Sequence, residues 1–166
     1  MIDRFRSLPM ARSAVLAGRT LSDTVRNVFV VLLMTGVGLL VGFRVQGDWL
    51  DFLGALGLTV LFGFAFSWIS ATIGLFIGSV ETAQVAGFIW VFPLVFASSI
   101  FVPVATMPNG LKFFAENNPI TAAVDSVRAL ALGHQLGNSM WHTLLWVLAI
   151  LLVFMPLAVR QYRKIS

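Results

Sequence analysis

Residues 52–80 read FLGALGLTVLFGFAFSWISATIGLFIGSV, a run of 29 positions without a charged side chain. About 20 apolar residues in helical form cross the hydrocarbon core of a bilayer. The run is therefore long enough to span with tilt. It fixes the solvent for the whole chain: a water-facing fold would have to hide every side of this segment.

Working outward, the preceding uncharged stretch covers 27–43. It is short for a span, so the helix is expected to begin near Leu21, with Arg26 reaching back to the headgroups. Arg44, Gln46, Gly47, Asp48 and Asp51 then form a polar loop, with Trp49 as an interfacial anchor. On the other side, Glu81, Thr82 and Gln84 read as a tight polar connection to a third apolar stretch. Pro93 inside that stretch is expected to kink it. The segment 103–140 is different. It holds Pro103, Pro108 and Pro119, the pair Asn117-Asn118, and the charges Lys112, Glu116, Asp125 and Arg128. Two short amphipathic pieces, 110–117 and 121–132, read as interfacial or re-entrant helices, too short and too charged to span. A last apolar stretch precedes the basic tail at 160–166. The expected fold is thus all-α: a single polytopic membrane helix bundle over 1–166 with about four transmembrane helices at 21–43, 53–78, 85–102 and 141–159. A cytoplasmic segment at 1–20 and an extracytoplasmic or re-entrant segment at 103–140 complete it.

Composition agrees. Hydrophobic residues make up 58% and charged residues 11% of the 166 positions, against about 25% charged in soluble domains. The mean hydropathy is +0.92. Too few polar side chains exist to cover a water-facing surface, so lipid is the expected partner of the outer face. The net charge of +4 does not point to nucleic acid, because the basic residues gather at the two chain ends beside apolar spans. Eight of the eleven Lys and Arg (Arg4, Arg6, Arg12, Arg19, Arg26, Arg160, Arg163, Lys164) fall on one side of a four-span arrangement, and Arg44, Lys112 and Arg128 on the other. The richer side is expected to be the cytoplasm, with both termini there. There are no cysteines, hence no disulfide, thiolate metal site or cysteine nucleophile.

Little in the chain offers chemistry. A phosphate-binding Gly-x-x-x-x-Gly-Lys-[Ser/Thr] loop is absent. His134 and His142 stand eight apart without a ligand set, so no metal site is expected. Ser98-Ser99 lacks a base. Glu81, between two spans, is read as a cap or ion-pair partner at the cytoplasmic turn, with proton relay as the sharper alternative. The glycine pairs Gly38/Gly42 and Gly74/Gly78 are each spaced for close helix packing. Phe62, Phe64, Phe66, Trp68, Phe88, Trp90 and Phe92 are candidates either to line a path or to face lipid. At the front, Ile2, Phe5, Leu8, Val15 and Leu16 give a partly helical apolar pattern broken by Pro9, with Arg4, Arg6 and Arg12 facing elsewhere. That is an amphipathic element, for the membrane surface or for a partner.

The run Ile2-Asp3-Arg4-Phe5-Arg6-Ser7-Leu8-Pro9, followed by Ala17-Gly18-Arg19, resembles the cytoplasmic segment of type-2 ABC exporter permeases, closest to the daunorubicin/doxorubicin-resistance branch. Phe101-Val102-Pro103, Met107-Pro108, Asn118-Pro119, Thr121 and Arg128 resemble that family's extracytoplasmic segment between its last two spans. The resemblance covers essentially the whole chain. It implies a permease subunit, not itself an enzyme, forming a dimeric export path with a second permease copy in a bacterial inner membrane. ATP and Mg would be bound by a separate cytoplasmic ATP-binding cassette subunit, so no cofactor is expected here. Arg4, Phe5, Arg6, Leu8, Pro9 and Arg12 would receive that subunit's movement. Pro103, Pro108, Asn118, Pro119 and Arg128 would form the extracytoplasmic motif. Substrates of this branch are amphipathic drugs or lipids. Family members have six spans, so the chain corresponds to spans three to six, as a truncated frame or fragment would. The other readings are a membrane assembly protein without transport and a proton-coupled secondary carrier.

Overall fold

The computed structural model describes residues 12–165. Arg4, Phe5, Arg6, Leu8 and Pro9 lie outside the described residues, and Arg12 is the first residue of the first helix. The described chain is helical: α1 (Arg12–Val41), α2 (Trp49–Ile77), α3 (Val80–Phe96), a 3-10 turn (Val104–Thr106), α4 (Asn109–Glu116), α5 (Pro119–Leu132) and α6 (Ser139–Ile165). Three helices carry segments long and apolar enough to cross a membrane: Leu21–Val41, Trp49–Ile77 and Ser139–Gln161.

The fourth expected span has different bounds in the structure, and it is the shortest of the four apolar helices. α3 has only 17 residues, about 25 Å of helix against a hydrocarbon core of about 30 Å. Its start is earlier than the expected position 85, because the tight turn is Gly78-Ser79 rather than Glu81–Gln84. Gly78 closes α2 with φ +72°, its N–H donating to the Gly74 carbonyl. Ser79 caps α3 by accepting from the Thr82 N–H. Polar side chains at the first turn of a helix satisfy free N–H groups, so the polar run belongs to the helix it was thought to precede. α3 also ends at Phe96 rather than near 102. Beyond it, Ser98 folds back, its Oγ donating to the Val95 carbonyl at 2.6 Å.

α5 begins where α3 ends. Eight of its 14 residues are buried, so of the two expected placements, interfacial or re-entrant, its burial fits the second. Ala55 and Leu58 of α2 pack with Leu130 near the end of α5, while Thr59 and Phe62 share a groove wall with Ile120 near its start. α5 thus runs along the first half of α2, with Ile120 placed deepest. α3 lies against the second half, where Phe66 stacks on Trp90 at 5.7 Å. Two helices of 17 and 14 residues lie along the side of one helix of 29.

The core is the seam between α2 and α6. Ala65 and Ile69 meet Val147 and Ile150, and Trp68 meets Ala158. Lipid is as apolar as these side chains, so close packing and not burial from water holds such a seam. Ser126 of α5 and Thr143 of α6, both fully buried, pair their hydroxyls at 3.0 Å. α1 is peripheral: none of its spanning segment is buried. It crosses α2 at Gly63, where a Cβ would overlap the Asn27 side-chain amide.

The glycine pairs expected to pack helices do something else. Gly42 follows the end of α1 with φ +110°, and Gly78 ends α2. A Cβ on Gly42, Gly74 or Gly78 would meet nothing within 4 Å. Each pair's second member stops a helix. The backbone-to-backbone contact in the fold is instead Gly47 against Gly133: a Cβ on Gly47 would sit 2.6 Å from the Leu130 carbonyl. There the α1–α2 loop bonds to the end of α5, the Gln46 N–H donating to the Ala131 carbonyl at 3.1 Å.

Candidate functional site

The last turn of any α-helix leaves carbonyls without intrahelical donors, and the first turn leaves N–H groups without acceptors. At the α3–α5 joint, one side chain serves both. Asn118 Nδ2 donates to the carbonyls of Leu94 at 2.7 Å and Ala97 at 3.2 Å. Its Oδ1 accepts from the Ile120 N–H at 2.9 Å, capping α5. Asn118 is 2% exposed, and Pro119 follows at the first helical position, where its missing N–H costs nothing. The negative end of one helix dipole meets the positive end of another across this residue.

A second set of bonds locks the joint. Ser99, just beyond α3, has all three of its polar groups held by one face of α5. Its N–H donates to Thr121 Oγ1 at 3.2 Å, and its Oγ donates to Asp125 Oδ1 at 2.7 Å. Its carbonyl accepts from Arg128 Nη2 at 3.1 Å. Arg128 Nη1 also stands 3.4 Å from Asp125 Oδ1. Asn118, Thr121, Asp125 and Arg128 are spaced three, four and three apart, which places them on one helix face.

Two clefts flank this face. On one side lies a polar cleft of about 380 Å³ where Lys112, Glu116, Asp125 and His142 meet. On the other lies an apolar groove of about 470 Å³, walled by Phe43, Phe62, Ile120, Val124 and Val127, with Arg128 as its one charged wall residue. The remaining motif prolines shape the chain between α3 and α5. The Pro103 carbonyl accepts from the Thr106 N–H, and the Pro108 carbonyl accepts from the Lys112 N–H at the start of α4.

Comparison with known proteins decides the family. The model of the ABC-2 type transporter family matches residues 1–132. The chain belongs to the ABC-2 type transporter family. It is 36% identical over 164 residues to the daunorubicin resistance ABC transporter permease protein DrrB1 of Streptomyces coeruleorubidus, covering 99% of this chain and 58% of that protein. It is 28% identical over 168 residues to the probable doxorubicin resistance ABC transporter permease protein DrrC of Mycobacterium tuberculosis, covering 100% of this chain and 60% of that protein. The chain therefore spans about three fifths of the length of these relatives. No solved structure matches it.

Within this ABC-2 chain, the structure brings together three of the five residues expected to form an extracytoplasmic motif: Asn118, Pro119 and Arg128 form or flank the joint. Pro103 and Pro108 stand apart from it. Glu81 lies exposed in the first turn of α3. The cap is Ser79, and among the described residues Glu81 makes no ion pair. His134 and His142 are exposed, and among the described residues no group of three or more His, Cys, Asp or Glu could hold a metal ion. Of the candidate aromatics, Phe62 walls the groove. Phe64 and Trp68 pack toward α6, Phe66 and Trp90 stack on each other, and Phe88 and Phe92 lie on the exposed side of α3. Ser99 and Asp125 were not singled out as site residues from sequence. The three-four-three spacing through Asp125 was the available signal for one of them, while Ser99 had none.

Proposed function

We propose that the chain forms the membrane-spanning part of the permease subunit of an ATP-driven exporter for amphipathic drugs or lipid-like molecules. The observation that carries this reading is the joint between α3 and α5. The family's motif residues sit where α3 stops and α5 begins, beside an apolar groove of the size of ligand sites. Broken helices at membrane depth occur where protein or a cavity satisfies the freed backbone groups.

In this reading ATP is hydrolysed on a separate cytoplasmic ATP-binding cassette subunit, and two permease copies enclose the path. The termini lie on the cytoplasmic side of a bacterial inner membrane, as the excess of Lys and Arg there supports. In this reading the positive charges of Arg4, Arg6 and Arg12 recognise the ATPase subunit, and Glu81 belongs to the same side. The test uses the full-length permease expressed with its ATPase subunit. Charge reversal of Arg4, Arg6 and Arg12 is expected to abolish co-purification or drug-stimulated ATP turnover while the permease still inserts. Unchanged assembly and turnover would remove the coupling role. Transport driven by a pH gradient without nucleotide would overturn the reading altogether.

A further inference from the structure

Arg128 uses only part of its hydrogen-bonding capacity. A guanidinium carries five N–H donors. Among the described residues, two are engaged: one with the Ser99 carbonyl at 3.1 Å and one, weakly, with Asp125 at 3.4 Å. Its side chain is 46% exposed. Asp125 does not line the apolar groove; its carboxylate is held by Ser99 and belongs to the polar cleft on the other side. Of this pair only Arg128 lines the groove, its counter-ion Asp125 standing at a long 3.4 Å and lining the other cleft. Its other walls are apolar, among them Phe43, Phe62, Ile120, Val124 and Val127.

The position matters as much as the composition. Phe43 follows the end of α1, and the groove continues to Ala131, whose carbonyl holds the loop between α1 and α2. The groove thus opens at the end of the bundle where helices give way to polar loop, the level at which lipid headgroups lie against a membrane protein. A slot of about 470 Å³ with apolar walls and one cation at headgroup level is complementary to a molecule with an acyl chain and an anionic head. A cationic or zwitterionic amphiphile gains less there: the first is repelled by Arg128, and the second carries its own counter-charge.

We propose that this groove is a binding site for one anionic phospholipid, its phosphate on the unspent N–H groups of Arg128 and one acyl chain between α2 and α5. The proposal concerns the same groove that supports the transport reading, and its test requires neither nucleotide nor transport.

The full-length protein, purified in micelles with equal phosphatidylglycerol and phosphatidylcholine of matched chains, tests this by native mass spectrometry. Retention of one phosphatidylglycerol per chain is expected. Arg128→Gln should lower its affinity about tenfold, the size of one charge-assisted hydrogen bond, and leave phosphatidylcholine unaffected. Arg128→Lys should keep most of the preference. Val124→Phe, which places a ring in the groove, should release both lipids. Asp125→Asn separates direct contact from damage to the joint: it frees the guanidinium, so phosphatidylglycerol should bind as tightly or tighter. Equal retention of the two lipids overturns the proposal. So does a loss in Asp125→Asn as large as that in Arg128→Gln, which would place the effect in the joint. Tighter binding of a cationic amphiphile than of phosphatidylglycerol would assign the groove to a different occupant.

Discussion

The Asn118 side-chain amide donates a 2.7 Å hydrogen bond to the carbonyl of Leu94, so one residue starts α5 by finishing α3. Its side-chain oxygen accepts from the Ile120 N–H. Replacing Asn118 by Ala removes a helix cap and two donated bonds in a buried place. The expected loss is about 2–3 kcal/mol, seen as easier unfolding in denaturant-containing micelles. Asn118→Asp should fare no better, because a carboxylate would face the Leu94 and Ala97 carbonyls. A near-native Asn118→Asp variant would show that the donated bonds contribute nothing.

Ser99 and its partners should divide unequally. Ser99→Ala loses the 2.7 Å bond to Asp125 and is expected to cost about 1 kcal/mol. The Arg128–Asp125 pair is long and more than a third exposed on both sides. A double-mutant cycle on that pair should give a coupling of less than about 1 kcal/mol that shrinks as salt is added. A large coupling insensitive to salt would mean the pair is drier than its exposure indicates.

Gly47 and Gly133 should resist any side chain. A Cβ on Gly47 meets the Leu130 carbonyl at 2.6 Å, and one on Gly133 meets Gly47 Cα at 3.1 Å with φ at +67°. Gly47→Ala is expected to part the α1–α2 loop from α5 and expose the Gln46 amide, which now donates to Ala131. Hydrogen exchange at Gln46 reads this directly, and protection equal to the native protein's would refute it.

Ser126 and Thr143 illustrate a contact that looks stronger than it is. Each hydroxyl has one proton and also stands within bonding distance of a carbonyl of its own helix, Ser126 at 2.7 Å from Ala122 and Thr143 at 2.9 Å from Ser139, so at most one of the two donates across the seam. Ser126→Ala should therefore cost about 0.6 kcal/mol, as interhelical hydroxyl bonds in membranes do. Ser126→Leu should cost several times more, since the site is fully buried and has no room. Unfolding of the two variants side by side distinguishes bonding from packing.

The spans of α1, α2 and α6 were legible because each is a long apolar run, and runs are local. The helix ends were not. The polar run Glu81–Gln84 marks a drop in hydropathy, yet the turn is two residues earlier, where Ser79 supplies a cap and Gly78 a left-handed φ. Likewise Gly42 and Gly78 had packing spacing and turned out to end helices. That α5 packs inside the bundle also has a physical cause. α5 carries Asp125 and Arg128, which no isolated helix could take deep among apolar neighbours. It is admitted because Ser99 holds one side of that face through a contact 26 residues away in sequence. Asn118 and Arg128 were visible as family motif residues, but that they meet the end of α3 is a property of the fold alone.

The chain between Ala97 and Asn118 does not set the alignment of the two helices that it joins. α3 and α5 are aligned by bonds at their touching ends, not by the peptide that joins them. Residues can then be inserted or deleted in the excursion through Val104–Thr106 and Asn109–Glu116 without altering the distance between the two halves. A continuous helix would transmit every such insertion as a change of register. Here the outward-facing segment can diversify in length and shape while the scaffold beneath it keeps its dimensions.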